Sequence, residues 1–221
     1  MRYLALGDSI SIDDYTGIDG GGAASRLALL LGAEHFDYLA YDGCTTAGVI
    51  ALLESISDRP DVITLTAGGN DFLQGAYSLT AADAPDTAAA WDRVTTGPLL
   101  NLHRIAARLS EHRCAVILNT IYDPTDGDDA LASELAIPIS FRAAFQALNR
   151  GIRALAASAG FHLCDLEALF RGHGLGAADT WYVSHIEPGR EGAHAIGQAW
   201  YELLVQAGEL PDGARADSPA A

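Results

Sequence analysis

Leu4-Ala5-Leu6-Gly7-Asp8-Ser9-Ile10-Ser11, near the amino end, is the stretch on which the reading of the chain turns. The apolar run Tyr3–Leu6 reads as a buried strand that stops at Gly7. Glycine allows a tight turn and aspartate favours one, so the Ser9 hydroxyl falls at the carboxyl end of the first strand. Ligands of open α/β sheets sit at that end of the strands. Ser9 is therefore placed where a nucleophile would be useful, although a serine that only caps a turn would read the same way.

The rest of the chain repeats the alternation. Short apolar runs at 3–6, 36–40, 61–66, 114–120 and 161–164 alternate with helical patterns at 23–31, 47–55, 91–112 and 141–159. A last helix starts near Pro188 and runs to about 206. Strand–helix alternation without hairpin signals predicts an α/β fold, a parallel sheet covered by helices on both faces. One domain is expected over 1–208, followed by a Pro/Ala/Asp-rich tail at 209–221 expected to be disordered. Residues 72–90, rich in Ala and Asp, read as an irregular flap, and the long fourth helix as disturbed at Gly97-Pro98. The aspartates at 123–129 lack the spacing of a calcium loop and read as a solvated loop.

Composition removes several functions. With 221 residues and 49% hydrophobic content the chain can bury a full core. Its formal net charge of −16 repels nucleic acid and anionic membranes. The sequence contains no lysine, which excludes Schiff-base chemistry and the lysine phosphate loop. Three widely spaced cysteines, Cys44, Cys114 and Cys164, make no zinc pattern, and no metal or other cofactor is expected. The absence of a signal-like start and of any long apolar stretch predicts a soluble, cytoplasmic protein without membrane insertion. Nothing in the sequence fixes its oligomeric state.

Three turns end three successive strands: Gly7-Asp8-Ser9, Asp42-Gly43 and Gly68-Gly69-Asn70-Asp71. On one edge of a parallel sheet, the Ser9 N–H, the Gly43 N–H and the Asn70 amide could together receive a developing oxyanion. This set resembles the SGNH (GDSL-type) hydrolase family: Gly7-Asp8-Ser9 for its first block, Gly43 for its second, and Gly68-Gly69-Asn70-Asp71 for its third. The resemblance implies a three-layer α/β/α, flavodoxin-like fold with about five central strands. It also implies metal-free hydrolysis of a small-molecule ester through an acyl-enzyme on Ser9. Asp8, Asp71 and His173 would border the substrate.

The fourth block departs from the family pattern. Where the family has an Asp, two residues and then a His before Pro, this chain has Ser184 and Glu187 before Pro188. Three candidates for the base follow. In an extended segment His185 and Glu187 share a face, so His185 could face Ser9 while Glu187 orients it. His173, between two glycines, could enter the same cleft. Glu187 alone would serve only if burial raised its pKa. The alternative is an SGNH-fold protein that is catalytically weak or inactive and binds an acyl or carboxylate ligand.

Overall fold

The computed structural model describes residues 1–56, 59–81, 88–135 and 141–210. Five strands form a wholly parallel sheet: β1 (Arg2–Gly7), β2 (His35–Ala40), β3 (Val62–Thr66), β4 (Ala115–Asn119) and β5 (His162–Cys164). Their spatial order is β2-β1-β3-β4-β5, so the chain reverses direction across the sheet at β1 and β3. β1, β3 and β4 are buried almost throughout, as their continuous apolar sequences require between two helical layers. β2 is an edge strand and mostly exposed, with Phe36 stacked on Tyr3 at 5.1 Å.

Helices cover both faces. Those that position the site are α1 (Ala23–Leu31), α2 (Thr46–Leu52), α3 (Gly69–Ala81), α4 (Ala88–Leu109), α5 (Asp129–Glu134), α6 (Phe141–Ala159), α7 (Leu166–Leu169) and α8 (Arg190–Ala207). One face packs Leu4, Leu6, Ile63 and Leu118 against α2, α4 and α6. The other packs Tyr3, Ala5 and Ile117 against α1 and α8. On that second face Trp200 is fully buried, and its indole N–H donates to Asn119 Oδ1 at 2.7 Å. The Asn119 amide donates in turn to the Leu65 carbonyl at 2.9 Å. α8 is thus tied through β4 to β3.

Three sequence expectations change. Residues 69–81 are helical, not irregular, because Phe72 turns into the core against Trp91, Phe141 and Phe145. The rest of the expected flap is partly α4 and otherwise, at 82–87, lies outside the described residues. α4 runs unbroken through Pro98. The buried row Trp91, Val94, Thr95, Pro98, Leu102, Ile105 offsets the roughly 3 kcal/mol cost of an interior proline. The aspartate loop is not merely solvated. Asp123 accepts from Thr125 and from Arg142, and Asp128 caps α5. The described chain ends with Leu210 buried against the second core, and the expected tail falls largely outside it.

Candidate active site

β1 reaches its end at Gly7, with φ +137°, and a Cβ there would come within 1.9 Å of the Thr66 carbonyl oxygen. Only glycine permits this approach of β1 to β3. The next residue, Asp8, donates its N–H to the Thr66 carbonyl at 3.1 Å, which locks the turn. Ser9 follows, buried, with no acceptor for its own N–H among the described residues.

The Gly43-Cys44 turn is brought up to the start of α3. Asn70 Nδ2 donates one hydrogen to the Cys44 carbonyl at 3.0 Å, and its other hydrogen has no acceptor among the described residues. Asp71 accepts from the Thr46 N–H at 2.8 Å and the Thr46 hydroxyl at 2.6 Å, fixing the start of α2 to the start of α3. Gly43 sits at φ +74° with its N–H unpaired among the described residues. Asp71, read from the sequence as bordering the substrate, instead braces these two helix ends.

The carboxyl side of the site comes from the loop before α8. Ser9 Oγ donates to Glu187 Oε1 at 3.1 Å. Glu187 is 6% exposed, and its Oε2 is buried without a hydrogen-bond partner among the described residues. Burial pushes its pKa up to about 7; the Ser9 hydrogen bond opposes this, and the nearby Asp42 and Asp8 carboxylates add to it. Asp8, also buried, is pushed up to about 6, chiefly by burial.

The geometry departs here from the sequence expectation for the two histidines. His185 is exposed and does not line the pocket. The segment is a turn, not an extended run. Tyr182 bridges Pro188, the Val183 N–H donates to the Glu187 carbonyl at 3.0 Å, and Ser184 Oγ accepts from the Glu187 N–H at 3.1 Å. Two-residue alternation fails inside such a turn, so Glu187 faces Ser9 while His185 faces outward. His173 stacks on Trp181 at 3.8 Å and pairs with Asp179 at 3.1 Å, outside the cleft. Tyr122, which the sequence did not single out, donates to the Ile186 carbonyl at 2.7 Å and braces the same turn. Nothing short of the fold could reveal that contact.

Ser9, Asn70, Asp8 and Glu187 stand at the polar end of a pocket of about 100 Å³. Its walls are Phe72, Leu73, Ala76, Ile121, Phe141 and Phe145. Among the described residues no group of His, Cys, Asp and Glu could hold a metal ion. No helix among them is long and apolar enough to cross a membrane.

A parallel β2-β1-β3-β4-β5 sheet with helices on both faces defines a flavodoxin-like three-layer α/β fold. The chain belongs to the GDSL-like lipase/acylhydrolase family, whose model matches residues 5–195. Among solved structures it is similar to the lipase Lip_vut3 from a goat rumen metagenome, at 20% identity and a TM-score of 0.72, covering 92% of this chain and 97% of that one. It is similar also to phospholipase A1 from Streptomyces albidoflavus, at 19% identity and TM-score 0.68, covering 93% and 98%. A third is the acetyl xylan esterase AlAXEase, at 16% identity and TM-score 0.66, covering 92% and 100%. Among curated proteins, none matches the chain in sequence.

Proposed function

We propose that the protein hydrolyses carboxylic esters with an apolar acyl group, through an acyl-enzyme on Ser9 and with Glu187 as the base. The observation that carries this reading is the 3.1 Å hydrogen bond from Ser9 Oγ to the buried Glu187. A carboxylate at its ordinary pKa is a poor base for a hydroxyl, whereas one raised to about 7 is matched to neutral pH.

In the forward direction Glu187 Oε1 accepts the Ser9 proton as Oγ attacks the ester carbonyl. The Ser9 N–H, the Gly43 N–H and the second Asn70 hydrogen are the donors available for the oxyanion. Glu187 then returns the proton to the departing alcohol, and afterwards takes one from the water that frees the acyl group. The lining is mostly apolar, with Phe72, Leu73, Phe141 and Phe145, and two of its other polar side chains are already engaged, Tyr122 with the Ile186 carbonyl and Asp123 with Thr125 and Arg142; this favours an alkyl or aryl acyl group over an acetylated saccharide.

The test is hydrolysis of p-nitrophenyl octanoate together with labelling by a fluorophosphonate. Ser9→Ala is expected to lose both. Glu187→Gln should cost turnover by at least about a hundredfold, the scale of a lost general base, while His185→Ala stays near wild type. The wild-type rate should rise with pH to a plateau above about 7, as Glu187 ionises. Should His185→Ala be the inactive variant and Glu187→Gln the active one, the base is assigned wrongly.

A further inference from the structure

We propose that the same pocket is a binding site for a free monocarboxylic acid with an apolar tail, held by Glu187 as an acid–carboxylate pair that shares one proton. The inference rests on the hydrolytic reading only in that such an acid is the product of that reaction. Water splitting the Ser9 ester leaves two carboxyl groups, the product's and Glu187's, with one proton to divide between them.

The first observation is Glu187 Oε2. Oε1 is engaged by Ser9, but Oε2 is buried with no partner among the described residues, in a residue that is 6% exposed. A buried acceptor without a donor is costly, on the order of 1–3 kcal/mol, and a ligand O–H relieves it. Donors for the ligand's other oxygen are at hand in the Asn70 amide, with one hydrogen uncommitted, and the unpaired Ser9 N–H. Beyond this polar end the pocket is walled by Phe72, Leu73, Ala76, Ile121, Phe141 and Phe145. A polar head of two oxygens on an apolar body is the shape of a carboxylic acid.

Charge decides the protonation. The titratable groups acting on Glu187 are Asp8 from the end of β1, Asp42 from the loop after β2, Tyr15 from the loop after β1, and Tyr122 from beyond β4, while Asp123, which lines the same pocket, is paired with Arg142. The four that act on Glu187 are acids or phenols. An ionised ligand meeting an ionised Glu187 among them is repelled, whereas one shared proton turns the repulsion into a short charge-assisted O–H···O⁻ bond. Binding must therefore take up a proton wherever free Glu187 is ionised. Above about pH 7 the dissociation constant should weaken by up to about tenfold per pH unit. Below it, the affinity should level off. The product is then retained in mild acid and expelled in mild alkali.

The experiment is calorimetric titration of the full chain with sodium octanoate between about pH 5 and 9, in two buffers of different ionisation enthalpy. The expected result is uptake of about one proton at the alkaline end, falling toward none near the acid end, with octan-1-ol binding without proton uptake. Glu187→Gln, checked for folding by circular dichroism, should bind octanoate with no pH slope between about 6 and 9. Octanoate binding to wild type without proton uptake, absence of binding at every pH, or an unchanged slope in Glu187→Gln would overturn the proposal. A protein that hydrolyses the octanoyl ester but binds octanoate without a proton sinks this inference alone. One that binds with a proton yet forms no Ser9 adduct sinks the hydrolytic reading alone.

Discussion

Glu187 is the residue at which function opposes stability. Its carboxyl is raised in the fold from an ordinary 4.5 to about 7. The folded state therefore binds more protons than the unfolded chain between those values. Its contribution is fully favourable below about 4.5 and is lost as pH rises through about 7. Glu187→Gln removes the ionisation and should leave the protein more stable at pH 8 by up to about 3 kcal/mol, with little difference near pH 4. Thermal melts at the two pH values measure it; a Gln variant less stable at pH 8 would mean that the carboxylate is solvated or paired in the fold. Asp8, raised to about 6, acts in the same direction and remains in the variant, so the variant's stability should still fall between about pH 4 and 6.

At the scale of elements, α8 is held by one buried chain of bonds, Trp200 to Asn119 to the Leu65 carbonyl. Trp200→Phe keeps most of the apolar contact but leaves Asn119 Oδ1 without a donor. The expected loss is about 1–3 kcal/mol, read as a shift of the urea midpoint; an unchanged midpoint would mean that water replaces the indole. Because Pro188 and Gly189 lead directly into α8, the same variant is expected to loosen the Glu187 turn and lower turnover as well. Elements of this kind were largely legible in the sequence. The five apolar runs became β1 to β5 within a residue or two at each end, since continuous burial leaves no other reading of Leu4–Leu6 or Val62–Leu65. α3 was not legible, because its Ala- and Gly-containing sequence has little intrinsic pattern and is fixed by Phe72 meeting three aromatic rings from α4 and α6. The turns at Ser9, Gly43 and Asn70 could be read because glycine marks them. The contact of Ser9 with Glu187 could not, because it depends on Ser184 capping a turn that periodicity treats as extended.

The whole molecule carries a formal charge of −16 and ends its sheet on one side in β2, whose outer edge pairs with no other strand among the described residues. Phe36, Tyr38 and Tyr41 are each more than a third exposed there. Mutual repulsion opposes the pairing of two such edges. As pH falls toward the sequence pI of about 4.5 the repulsion disappears, and light scattering should report self-association that reverses on return to neutral pH. A scattering intensity that stays flat through pH 4.5 would show the edge to be inert. The two-sided core has a different use. Trp91 is buried on the α4 side of the sheet, Trp200 on the α8 side, and Trp181, in the loop before α8, packs against the second core and lies flat against His173. The three indoles of the chain are thus distributed as one lamp for each face and one for the loop. Variants keeping a single lamp would let fluorescence follow each of these sites separately as the protein unfolds.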